Sequence, residues 1–221
     1  GAEVYRATGQ TLEVRHAGGA YHPVSLPAGV MRFHMTRRTL TPILANDAAS
    51  LFALNGDLRL VEFHSKANAL TDESMQIVAA AAEDHGAGII IHNDAQHFSA
   101  GVDLNAFRAY IEAENWDGID GFLDRFQKAV CALKYTPVPV VGAPSGLAAG
   151  GGYEVLAHCD RLVVHTNSVM GLVEAGVGVV PGGGGIKDTF FRWHDAKGSW
   201  DDAAWQTWMN IGYGATGSSP Q

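Results

Sequence analysis

The stretch Gly146-Leu-Ala-Ala-Gly-Gly-Gly-Tyr-Glu154, followed by Gly171-Leu-Val-Glu174-Ala-Gly-Val-Gly-Val-Val-Pro181-Gly-Gly-Gly-Gly185, decides how this chain is read. Gly150, Gly151 and Gly152 stand directly before a run of helical character, Tyr153 to Cys159. They remove every side chain where a backbone must come close to something. A helix starting there leaves its first N–H groups without intrahelical partners, at the positive end of its dipole, a setting that suits an oxyanion. Glu154 falls in the first turn, and Glu174 lies in a second apolar, glycine-rich segment. Two acids in water-poor settings point to acid/base chemistry. A first-turn glutamate also favours the dipole without any chemistry, and glycine runs are often only turns, so spacing alone leaves a structural reading open.

Around this stretch the chain alternates strand and helix signals. Leu51 to Leu54 and Leu58 to Phe63 flank Asn55-Gly56-Asp57 as a hairpin. Thr71 reads as an N-cap, with Asp72 and Glu73 in the first turn and Gly86 as the stop. Ala87 to Ile91 suits a buried parallel strand. A long amphipathic helix carries Ile119, Phe122, Leu123, Phe126, Val130 and Leu133 at three- and four-residue steps, and Pro137 closes it. Val138 to Val141 and Arg161 to His165 read as further strands, so the class is α/β with parallel crossovers. Residues 1–45 read as a loosely structured leader or linker, 46–189 as the catalytic core, and 190–221 as a partial C-terminal helical region. That last region holds most of the tryptophans, and a helix packing back on its own domain is the simplest account of them.

The 221 residues suffice for one domain with a sizeable core. Hydrophobic residues at 47% and charged residues at 17% indicate a globular chain. A net charge of −8 argues against nucleic acid or an anionic membrane as the main partner. No run approaches the roughly 18 apolar residues of a membrane helix, and the expected location is cytoplasmic. Cys131 and Cys159 are expected as buried thiols. Among ten histidines, His92 and His97 could share a loop, but no metal-ligand spacing occurs and no metal site is expected. Gly142-Ala-Pro-Ser145-Gly146 misses the nucleophile elbow by one position.

The segments Lys66-Ala-Asn-Ala-Leu70, His97-Phe-Ser-Ala-Gly-Val-Asp-Leu104, Pro139 to Glu154, His158-Cys-Asp160 and Gly171 to Gly185 resemble, in order, the enoyl-CoA hydratase/isomerase (crotonase) family. The resemblance implies a crotonase (ClpP-like) fold of repeated ββα units in two sheets. It implies an enoyl-CoA hydratase of fatty-acid β-oxidation, adding water to trans-2-enoyl-CoA. The amides of Ala100 and Gly151 would form the oxyanion hole, Glu154 would activate water, and Glu174 would deliver the α-proton. Acyl-CoA, a substrate rather than a cofactor, would lie against Lys66, Ala67, Ala69, Ala100, Gly101, Val102, Asp103, Leu104, Gly150 and Gly151. Lys66 is the one plausible phosphate contact among them, although a lone lysine can equally be only solvated, and Asp103 fits better as a tie for its own loop. A homo-oligomer, dimer or trimer, is expected.

Several segments also resemble the hydratase portion of bacterial 3-hydroxyacyl-CoA dehydrogenases. The chain is therefore expected to be a piece of a longer polypeptide, in which NAD would serve only a separate dehydrogenase domain. Isomerisation, thioester hydrolysis, or non-catalytic acyl-CoA binding and assembly remain as alternatives. The crotonase fold is shared with some serine peptidases, and Ser145 or Ser99 beside a histidine is the remote version of that reading.

Overall fold

Parallel strands require crossover segments, and the glycines and short apolar runs of this chain place them at close intervals. The computed structural model describes residues 3–9 and 11–218. Two units are present, Gly1–Thr41 and Pro42–Gln221. In the first, β1 (Tyr5–Thr8), β2 (Thr11–Arg15) and β3 (Tyr21–Pro23) form an antiparallel sheet, followed by the short α1 (Phe33–Thr36). The sequence reading has a loose leader here. The sheet is held by cross-strand polar contacts rather than an apolar face: Arg6 pairs with Glu13 at 2.7 Å and lies 4.0 Å over the Tyr21 ring. Without alternating burial, the periodicity that announces a strand is missing.

The second unit contains β4 (Leu44–Ala45), β5 (Ala49–Leu54), β6 (Leu58–Phe63), α2 (Asp72–Glu83), β7 (Gly88–Ile91), α3 (Leu104–Glu112) and α4 (Trp116–Lys134). These lead to β8 (Val140–Gly142), β9 (Leu147–Ala149), α5 (Gly151–Ala157), β10 (Arg161–Leu162) and β11 (Val169–Gly171). The chain continues through α6 (Gly185–Lys197), α7 (Trp200–Gly212) and β12 (Thr216–Gly217). One sheet has the order β10-β8-β7-β6-β5-β4, and a smaller one β12-β11-β9. The β5–β6 hairpin is antiparallel, closed by Leu54 opposite Leu58. From β6 through β7 and β8 to β10 every pairing is parallel. Side chains of β5 to β8 meet α2, α4 and α5 in a core that includes Leu51, Phe63, Ile77, Ile89, Phe126, Leu133 and Leu156. Thr71 caps α2 in a capping box with Ser74.

Several boundaries differ from the sequence reading. The helix expected from Tyr153 starts two residues earlier, at Gly151, and the strand expected over Arg161 to His165 is only Arg161–Leu162, with Val163 N and His165 N still bonding the Gly142 and Pro144 carbonyls beyond it. The helix before Pro137 is preceded by a separate one, α3, broken from it where Glu114 takes a left-handed φ of 51° and Asn115 caps α4. Cys131 is half-buried rather than buried, and Cys159 is buried. In the C-terminal region α6 and α7 stack aromatic rings on each other, Trp200 lying 3.5 Å from the His194 ring. Trp200, Trp205 and Trp208 nevertheless stay more than half exposed, so they are not packed away as the simple account expects. No helix among the described residues is long and apolar enough to cross a membrane.

Candidate active site

The two glutamates meet because β9 and β11 run parallel in register, with Ala149 opposite Gly171. The chain leaves both strands at the same end. One exit becomes the first turn of α5, carrying Glu154; the other becomes a 3-10 turn, Glu174–Val177, opened by Glu174. Gly150 N–H donates to the Gly171 carbonyl at 2.9 Å and ties the two exits together. Gly150 has φ 51° and ψ −122°, a conformation that side chains disfavour. A Cβ there would stand 2.9 Å from Glu174 Oε1, so the glycine also makes room for that carboxyl.

Glu154 is 2% exposed. Its Oε1 accepts two amide N–H groups, from Gly183 and from Gly185, each at 2.8 Å. The glycine run at 182–185 therefore grips a carboxyl. Burial pushes Glu154 up from its ordinary 4.5 to about 7; the two amides oppose the rise and the charge of Glu174 adds to it. Glu174 is half-buried, with Oε2 buried and without a hydrogen-bond partner among the described residues. Burial raises it as well. Two carboxyls that burial raises above the ordinary carboxylate range, side by side, are suited to proton transfer.

Across from them lies the 97–103 loop. Gly101, at φ 98°, lets the backbone approach Ala149: a Cβ there would meet the Ala149 carbonyl at 3.1 Å. The loop is laced to the 65–70 turn by Leu70 N to Gly101 O at 2.8 Å and Asp103 N to Leu70 O at 2.9 Å. Asn68 Nδ2 donates to the His97 carbonyl at 2.8 Å, and Ser99 Oγ donates to the Asn68 carbonyl at the same distance. These bonds hold Ala67 and Asn68 in left-handed backbone at φ 55° and 51°, unusual for residues with side chains. The Ala100 amide donates to the Ala67 carbonyl at 3.2 Å, whereas Gly151 opens α5, where the helix supplies no acceptor for its N–H.

A cavity of about 970 Å³ joins these groups. Ala100, Gly101, Val102, Leu104, Gly150, Gly151, Glu154 and Glu174 all line it. Its far side is apolar and comes from α3, α4 and the 177–180 segment, including Phe107, Ile111, Ile119, Leu123 and Val179. Lys66 and Ala67 are exposed on the 65–70 turn and Ala69 is half-buried there; none of the three borders the cavity. Asp103 caps α3, accepting from Asn105 N at 2.9 Å.

Two parts of this site escaped the sequence reading, the α3 wall and the Gly183/Gly185 grip. The signals were present: Leu104, Phe107 and Ile111 fall at helical spacing, and the glycine run sits between two apolar segments. Ser99 is fully buried and spent on backbone contacts, while His97 Nδ1 accepts from Leu147 N at 3.3 Å, so the two do not form a nucleophile and base. Among the described residues no cluster of three or more His, Cys, Asp or Glu side chains forms a metal site.

Comparison with known proteins agrees with this geometry. A protein from Bacillus subtilis (strain 168), described as a probable 3-hydroxyacyl-CoA dehydrogenase, is 32% identical over 210 residues, covering 92% of this chain and 26% of the relative. The mouse mitochondrial methylglutaconyl-CoA hydratase is 36% identical over 90 residues, 41% of this chain and 27% of the relative. The chain thus spans about a quarter of the length of each. The crystal structure of an enoyl-CoA hydratase from Geobacillus kaustophilus HTA426 superposes with a TM-score of 0.67 at 21% identity, over 80% of this chain and 65% of that one, and shares the fold. The profile of the enoyl-CoA hydratase/isomerase family matches residues 58–192, more than half of the sequence, and the chain belongs to that family.

Proposed function

We propose that this chain hydrates trans-2-enoyl-CoA thioesters as the hydratase portion of a fatty-acid-oxidising polypeptide. The observation that carries the reading is the convergence of Glu154 and Glu174 on one apolar cavity beside the N-terminal amide of α5. Hydration places hydroxide on the β-carbon and a proton on the α-carbon while negative charge gathers on the thioester oxygen. The Gly151 N–H, without an intrahelical partner at the start of α5 and on the cavity wall, would donate to that charge. The Ala100 N–H would exchange its 3.2 Å bond to Ala67 for the same oxygen. One such donor typically contributes about 10² to 10³ in rate.

Glu154 would take a proton from water through Oε2, since Oε1 is held by two amides. Glu174, raised by burial, would carry the proton that goes to the α-carbon. Solvent then returns a proton to Glu174 and removes one from Glu154, and the cycle closes. The apolar wall of α3 and α4 would hold the acyl chain, and the cavity lies near the top of the usual range of about 300–1,000 Å³ for small-ligand sites. We therefore favour acyl chains well beyond four carbons. The product, a 3-hydroxyacyl thioester, is what a 3-hydroxyacyl-CoA dehydrogenase oxidises, which agrees with the name of the Bacillus relative.

Product analysis tests this. Incubating the chain with trans-2-decenoyl-CoA should yield 3-hydroxydecanoyl-CoA. A shifted double bond without water addition would assign an isomerase instead, and free coenzyme A would assign a thioesterase.

A further inference from the structure

Behind the carboxyl-binding turn lies a second polar cluster that the chemistry above does not use. His158, at the end of α5, is fully buried in its side chain, and Asp188, in the first turn of α6, is 2% exposed. His158 Nδ1 lies 2.7 Å from the Glu154 main-chain carbonyl, which only accepts. Its Nε2 stands 2.8 Å from Asp188 Oδ2 in a bent ionic contact rather than a straight hydrogen bond. The other Asp188 oxygen receives Lys134 Nζ, from the end of α4, at 2.6 Å. Although burial works to raise Asp188, His158 and Lys134 hold it well below the usual carboxylate range, so it too only accepts. Both ring nitrogens of His158 therefore face oxygen acceptors.

We propose that His158, Asp188 and Lys134 form a positioning relay for Glu154, fixing its helix and the 183–185 turn behind its carboxyl. The contacts reach it from both sides. His158 holds the Glu154 carbonyl, and its ring lies against Gly184, where a Cβ would meet it at 3.1 Å. The neighbouring amides, Gly183 and Gly185, hold the carboxyl itself. Asp188 N–H donates to Gly184 O at 3.1 Å, so the turn, the ring and α6 move as one piece. A buried ion cluster is a weak device for stability, since apolar residues of similar volume often serve as well. Here the cluster joins the ends of three helices directly behind Glu154.

The other charged groups near Glu154 are Glu174 on the 174–177 turn, which opposes its ionisation, and Lys187 on α6, 3.8 Å from Asp188. Arg192, also on α6, bonds the Ala157 carbonyl at 2.6 Å, and the neighbouring Cys159 thiol is pushed up to about 12 and stays neutral. Among these side chains, His158 is the neighbour that favours the ionised form of Glu154.

The relay rests on reading Glu154 as the water-activating carboxyl, but its test does not. With ¹³C-labelled glutamate, the Glu154 carboxyl is titrated by NMR in the wild type, in His158→Gln and in Lys134→Met. The midpoint should rise by about one pH unit in His158→Gln, cutting the ionised fraction below the midpoint by up to about tenfold. It should rise less, in the same direction, in Lys134→Met, whose residue is partly exposed and keeps the variant foldable. The acid limb of the kcat profile on an enoyl-CoA should move with it while KM stays unchanged. A Glu154 midpoint unmoved in folded variants overturns the relay. Shifted titration in a wild type that hydrates no enoyl-CoA upholds the relay and refutes the hydratase reading.

Discussion

Replacing Glu154 with glutamine should stabilise the chain at alkaline pH and not at acid pH. Burial raises the carboxyl from 4.5 to about 7, so the native state holds this proton more tightly than the unfolded chain does. The resulting contribution to stability is fully present below about pH 4.5 and is lost as pH climbs through 7, because the native state must then bury an ionised carboxylate. The shift corresponds to about 3 kcal/mol between the two limits. Glutamine is neutral throughout, and its Oε1 can accept the same N–H groups of Gly183 and Gly185. The stability of Glu154→Gln relative to wild type should therefore grow by about 3 kcal/mol from pH 4.5 to pH 8.5. At about 2–4 °C per kcal/mol for a domain of this size, melting temperatures should separate by about 6–12 °C over that span. Urea unfolding at closely spaced pH values measures the difference directly. A gap between the two proteins that is the same at every pH would refute the reasoning, because it would mean Glu154 titrates alike in the folded and unfolded chains.

Three further outcomes are expected. Gly183→Ala places a Cβ 2.5 Å from Glu154 Oε2 and against the Phe126 ring; turnover should fall by about 10²-fold or more from the displaced carboxyl, seen as a loss of kcat in steady-state kinetics. Leu123→Trp narrows the apolar wall, so turnover of decenoyl-CoA should fall while that of crotonyl-CoA stays within about twofold, measured as a ratio of kcat/KM values. Thr71→Ala removes the side chain that caps α2 and should cost about 1 kcal/mol in urea unfolding without moving kcat.

What the sequence made legible was what repeats over short distances. The cap at Thr71, the hairpin around Gly56 and the apolar stripe of α4 each combine a residue preference with a period, and each element stands in the structure. The glutamates were legible because Glu154 follows a glycine run and Glu174 lies inside another glycine-rich segment; that they share one cavity rests on the Ala149–Gly171 register, a pairing across residues far apart in the chain. Strands of three residues such as β9 and β11 carry no period to detect, and β10 is shorter still. The relay behind Glu154 was invisible for a further reason. Lys134, His158 and Asp188 come from three helices, and in the sequence each is an ordinary polar residue.

The most direct test of the two-carboxyl account is the rate at which crotonyl-CoA loses its conjugated-thioester absorbance in the presence of wild type, Glu154→Gln and Glu174→Gln. General acid or base catalysis typically contributes about 10² to 10⁴, so each single variant should lose at least about 100-fold in kcat while remaining folded. Wild-type turnover retained by either variant would contradict the assignment of both carboxyls to the chemistry.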